Sequence, residues 1–214
     1  MKLGMPMLCA WFLSKRDLPP SLSTVLITLA AIGLPVLLIA EQPDLGTSLL
    51  VASSGLFVLF LAGLPWWMIG GAVALFIPFV FVAWEYLLHD YQRRRVLTLL
   101  NPEADALGAG WNIMQSKTAI GSGGLTGKGY LEGTQSHLHF LPEGHTDFII
   151  AAFSEEFGLV GVSLLMFLYA CVLARALFIS YRTTSVYGRL LAGAIAMSFF
   201  VYVFVNAGMV AGIL

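Results

Sequence analysis

The chain has 214 residues, 58% of them hydrophobic and only 11% charged, with a mean hydropathy of +0.86. That balance excludes a soluble domain with a solvated surface and defines a multi-spanning membrane protein. The formal net charge of −1 identifies no partner, because in a membrane protein the placement of charge matters more than its sum.

The opening "MKLGMPMLCAWFLSKRD" resembles a secretory signal, yet it has no small-residue cleavage site and runs into Lys15 and Arg16. Leu3 to Leu13 therefore forms a short first span, too short to cross a hydrocarbon core of about 30 Å alone. Longer apolar runs follow at Ser21 to Ala40, Leu45 to Leu64, Trp66 to Leu88, Phe148 to Ser180 and Leu190 to Leu214. A transmembrane barrel would instead show short alternating segments. The pattern predicts an all-α fold: a polytopic transmembrane helix bundle of about five full spans plus a partial first span, within a single membrane domain covering 1–214. Cys9 and Cys171 both sit in apolar runs, where a thiol acts as a small hydrophobe, so neither a disulfide nor a metal site is expected from them.

Between the fourth and fifth runs lies the only long polar stretch, 89–146. A loop of that length is functional or disordered, and Trp111, Ile113, Met114, Ile120, Leu125, Tyr130 and Phe140 predict an ordered, partly interfacial one. Lys15 and Arg16, with Arg182 and Arg189, mark two short loops on the cytoplasmic side. Counting crossings then puts the Glu41 to Asp44 turn and the long loop outside, so the loop is extracytoplasmic. Arg93, Arg94 and Arg95 fall on that outer face, against the usual bias, and call for an anionic partner, or else bind outer-leaflet lipid headgroups or the acids of their own loop.

The glycine-rich "GSGGLTGKGY", Gly121 to Tyr130, fails as a P-loop. Ser122 stands where the first glycine is needed and Lys128 is followed by Gly129 rather than Ser or Thr. Tight turns account for it better. His137, His139, His145 and Asp147 lack any helix-spaced or paired-cysteine pattern, so no metal site is assigned. Asp147 follows Thr146, which fits an N-cap with the carboxylate in the first turn. Glu155 and Glu156 lie about two turns deeper, where a charge is by default functional or paired. Lys117 or one of Arg93 to Arg95 is the expected partner, in a supporting role. Asp44, in "EQPDLGTS", faces outward and also suits a helix start.

The segments "EQPDLGTSLL", "DYQRRRVLTLLNPEADALGAGWNIMQSKTAIGSGGLTGKGYLEGTQS" and "FLPEGHTDFIIAAFSEEFGLVG" closely resemble the SEDS family of bacterial cell-wall polymerases. "GKGYLEGTQS" looks more like its elongation branch than its division branch. The resemblance covers nearly the whole chain. It implies a multi-pass glycosyltransferase of the bacterial cytoplasmic (inner) membrane that polymerises lipid II outside the cytoplasm. It also implies a class B penicillin-binding protein and the elongation machinery as partners, and no nucleic acid. The essential Asp of the family's "HTDF" motif carries over to Asp147, with His145 of the same motif at the substrate. Gly144 stands where elongation members usually carry Arg, and His137 and His139 also depart from the pattern. Against the family the chain begins partway through the helix series and stops before a Pro-rich "SYGG" segment, which implies a fragment.

In such a reaction Asp147 acts as the base toward the acceptor hydroxyl. Arg93, Arg94, Arg95, Lys117 and Lys128 are the outer-face cations for the departing pyrophosphate. No cofactor is fixed by these residues, and a divalent cation such as Mg2+ is left open by the pyrophosphate chemistry. Two other functions fit polar groups among packed helices: a lipid-precursor flippase or transporter, and a non-catalytic scaffold for the penicillin-binding protein. The clustering of ionisable groups near one face favours surface chemistry over passage.

Overall fold

A computed structural model of the chain describes residues 1–42, 44–87, 93, 97, 109–134 and 147–213. Its helices are α1 (Gly4–Ser14), α2 (Leu22–Ala40), α3 (Leu45–Leu61), α4 (Trp66–Val82), α5 (Ala109–Gly123), α6 (Ile149–Arg182) and α7 (Val186–Ala211), with a π-helical turn at Ala83–Leu87 after α4. The stretches Leu22–Ala40, Trp66–Tyr86, Ile149–Arg182 and Val186–Ala211 are long and apolar enough to cross a membrane, and α1 and most of α3 form shorter apolar helices. The all-α polytopic bundle expected from the apolar runs is what forms.

Local chemistry sets the helix starts. Ser21 accepts from Thr24 N–H at 3.5 Å and Asp44 from Thr47 N–H at 3.0 Å, each covering an N–H that the first turn leaves unpaired. Pro65 precedes α4, and the Ser185 hydroxyl accepts from Gly188 N–H at 3.0 Å at the start of α7.

The chain gathers into two compact units. The first comprises Met1–Leu87 and Val172–Tyr202. Its core joins Cys9 and Leu13 of α1, Ile32 of α2, Val58 and Leu59 of α3, and Leu190 of α7. Although α1 is too short to span, it is thus a packed helix of the core. Gly55 of α3 lies against the Ile32 side chain and Gly193 of α7 against Leu61, small residues that let helices approach where lipid supplies no hydrophobic drive. In contrast, α4 has no buried residue, as suits an apolar surface in hydrocarbon.

The second unit comprises Leu88–Cys171 and Val203–Leu214. Part of the stretch read from sequence as a long loop is helical here: α5 spans 15 residues. It turns buried Ile113, Ser116 and Ala119 to one side, a spacing that follows the helical period. Ala119 packs with Phe148, Ile150, Ala151 and Val210. The apolar run at Phe148 to Ser180 is not uniform either, because α6 breaks at Gly158.

Candidate functional site

The break in α6 organises the polar part of the second unit. Gly158 has φ 62° and ψ −164°, a combination open essentially to glycine alone. It interrupts the helical hydrogen-bond ladder, and unpaired backbone groups are costly where water is scarce. The turn after α5 supplies replacements. Lys128 N–H donates to Glu155 C=O at 3.0 Å and Gly129 N–H to Glu156 C=O at 3.1 Å; in return Leu159 N–H donates to Gly124 C=O at 2.9 Å and Val160 N–H to Leu125 C=O at 3.1 Å. The two backbones touch so closely that a Cβ on Gly158 would strike Gly127 N, and one on Gly127 would strike Glu156 C=O. The glycines of "GSGGLTGKGY" thus serve a contact between segments as well as a turn.

Glu155 is pinned inside this junction. Its Oε1 lies 2.6 Å from Lys128 Nζ, with the carboxylate side chain 0% and the lysine 27% exposed. Thr134 Oγ1 completes the triangle, 2.8 Å from Lys128 Nζ and 3.1 Å from Glu155 Oε1. Among the described residues, Glu155 thus pairs with Lys128, expected from the sequence among the phosphate-binding groups, and not with Lys117; Arg94 and Arg95, two of the other expected partners, lie outside the described residues. Two of the three ammonium donors of Lys128 are thus engaged, by Glu155 and by Thr134. Lys117 is exposed on α5 and lies across Gly212, where a Cβ would run into its Cε. Glu156 is half-buried beside the junction.

Asp147 sits at the head of α6 with its side chain exposed. The first helical carbonyl is that of Phe148, which accepts from Ala151 and Ala152 N–H at 2.9 and 3.2 Å. Asp147 therefore precedes the first turn, a correction to the placement inside it that a Thr146 N-cap would give. Its own carbonyl accepts instead from Asn206 Nδ2 of α7 at 2.8 Å. Asn206 was missed in the sequence, although an amide inside "VYVFVNAGMVAGIL" is the kind of intramembrane polar residue that demands a partner.

The remaining predicted residues are dispersed. Asp44 caps α3 in the first unit. Arg93 is half-buried in the second, while Arg94, Arg95, Gly144, His137, His139, His145 and Thr146 lie outside the described residues. Among the described residues no three His, Cys, Asp or Glu side chains gather as metal ligands.

Fold and site together define a polytopic α-helical membrane protein with an exposed carboxylate heading a broken helix. The FtsW/RodA/SpoVE family model, described as a cell cycle protein, matches residues 1–214. The chain belongs to this family. It is 56% identical over 213 residues to the peptidoglycan glycosyltransferase MrdB of Escherichia coli K12, covering 100% of this chain and 58% of that protein. It is 45% identical over 128 residues to the peptidoglycan glycosyltransferase RodA of Treponema pallidum, covering 60% of this chain and 30% of that one. A solved chain from a peptidoglycan synthase complex that coordinates polymerization and crosslinking superposes with a TM-score of 0.75 at 31% identity, over 99% of this chain and 58% of the other. The chain thus spans a little over half the length of MrdB and of that solved chain.

Proposed function

We propose that the protein carrying this chain is a peptidoglycan glycosyltransferase of the bacterial cytoplasmic membrane that polymerises lipid II for cell-wall elongation and cell shape. The observation that carries the proposal is the 56% identity to MrdB along the chain, joined to an exposed carboxylate at the head of α6. A class B penicillin-binding protein is the proposed partner, supported by the likeness to a chain from a peptidoglycan synthase complex.

In the proposed reaction an acceptor sugar hydroxyl attacks the anomeric carbon of a lipid-pyrophosphate donor. A new C–O bond forms, the bond to the pyrophosphate oxygen breaks, and the lipid pyrophosphate departs with the bonding electrons. Asp147 takes the hydroxyl proton as general base, a role typically contributing 10²–10⁴-fold. Arg93, Arg94, Arg95 and Lys117 are proposed to meet the pyrophosphate charge, assisted by Lys128. His145 is proposed to contact substrate, and Asp44, Glu155 and Glu156 to support the architecture.

The test is glycan-strand formation from lipid II by the full-length protein with its penicillin-binding partner, beside Asp147→Asn. Strands from the parent and none from the variant are expected. Equal product from both would remove Asp147 from the chemistry, and no product from the parent complex would overturn the assignment as a polymerase.

A further inference from the structure

We infer that Asn206 is a positioning residue for Asp147, holding the backbone on which the carboxylate is mounted. The inference rests on the reading of Asp147 as general base.

The bond from Asn206 Nδ2 to Asp147 C=O measures 2.8 Å and joins residues 59 apart in sequence. Its direction is chemically forced, because a carbonyl only accepts and the amide must present its NH2 group. Within a longer helix Asp147 C=O would receive Ala151 N–H, but that N–H goes to Phe148 C=O at 2.9 Å. Asn206 fills the vacant place from another helix. Directly after that carbonyl, Phe148 is buried in the cluster with Ile150, Ala151 and Val210. The carbonyl end of Asp147 is thus held by Asn206 and by the buried residue that follows it.

Asn206 is itself held firmly. One turn on, Val210 is 0% exposed, and its carbonyl accepts from the buried Ser116 hydroxyl at 2.8 Å. The end of α7 closes in a Schellman arrangement, with Gly212 N–H donating to Met209 C=O at 3.0 Å and Ile213 N–H to Gly208 C=O at 2.9 Å. The same end carries Gly212, across which Lys117 lies. One short stretch of α7 therefore sets both the carboxylate mount and a cation proposed for the pyrophosphate. Misplacing a reacting group by about 1 Å can cost on the order of 100-fold in rate, so a tether of this kind has kinetic consequences out of proportion to one hydrogen bond.

The experiment is steady-state lipid II polymerisation by the full-length protein with its partner, comparing the parent with Asn206→Asp, Asn206→Ala and Asn206→Gln. Asn206→Asp is isosteric but turns an acceptor toward a carbonyl; Asn206→Ala removes the donor without adding charge; Asn206→Gln keeps an amide within reach. The expected result is a kcat lowered on the order of 10- to 100-fold in the Asp and Ala variants. KM for lipid II should stay within about twofold, the melting temperature should hold, and Asn206→Gln should recover part of the loss. Parental kcat in Asn206→Ala overturns the inference, as does a loss of kcat that tracks a loss of melting temperature across the series. Asp147→Asn in the same assay separates the two readings. If it polymerises at the parental rate, the general-base assignment falls; if it is inactive while Asn206→Ala is not, the positioning inference alone falls.

Discussion

The α1 to α3 bundle and the region around α5 and the head of α6 differ in how far their polar groups reach. In the bundle, hydroxyls fold back onto their own helix: Thr28 donates to Thr24 C=O, Ser53 to Leu50 C=O and Ser54 to Val51 C=O. The other region has such local bonds too, at Thr118, Ser122 and Ser154, and adds contacts that reach across the sequence: Ser116 to Val210, Lys128 to Glu155 and Asn206 to Asp147, separated by 94, 27 and 59 residues. The bundle needs only apolar shape and small residues to pack, whereas a helix broken at Gly158 must find partners for freed backbone and for a carboxylate with no exposure. Long-range polar contacts mark the part of the molecule where chemistry is proposed.

Four substitutions sharpen that contrast, read as unfolding free energy in detergent micelles. The largest loss is expected from Lys128→Met, which breaks the 2.6 Å pair with the unexposed Glu155 carboxylate and should cost about 3–5 kcal/mol; a loss under about 1 kcal/mol would show that the pair does not hold the junction. Gly158→Ala comes next at about 2–3 kcal/mol, since the positive φ is strained for alanine and the added methyl meets the Gly127 backbone. Hydrogen exchange should also rise at Leu159 and Val160, and protection equal to the parent's would argue against the paired break. Ser116→Ala leaves the Val210 carbonyl without its cross-helix donor and should cost about 1–3 kcal/mol. Thr28→Val in the bundle should change stability by about 0.6 kcal/mol or less, because its hydroxyl serves only its own helix. If Thr28→Val cost as much as Ser116→Ala, the distinction between the two regions would fail.

What was legible in the sequence divides along the same line. The spans announce themselves through apolar runs, and Ser21 and Asp44 sit where helix starts need a side-chain acceptor. Asp147 was singled out through its motif and, independently, as a carboxylate at the head of an apolar run. The α5 helix was not seen because its polar and glycine residues mask a buried face of Ile113, Ser116 and Ala119 that only tertiary packing reveals. Glu155 was recognised as needing a cation, but nothing local favours Lys128 over Lys117; backbone pairing between 124–129 and 155–160 makes the choice. That pairing has no periodic signature, so the glycines that allow it looked like ordinary turn residues. Asn206 carried a usable signal, an amide in an apolar run, whose partner the sequence alone does not name.

The most direct measurement is lipid II polymerisation and melting temperature taken side by side on full-length parent and Asp147→Asn, each with the proposed penicillin-binding partner. The exposed position of Asp147 predicts a melting temperature close to the parent's and glycan strands from the parent alone. Strands at the parental rate from Asp147→Asn, or a collapse of melting temperature together with activity, would contradict an account in which this carboxylate performs chemistry and the buried Glu155 holds the fold.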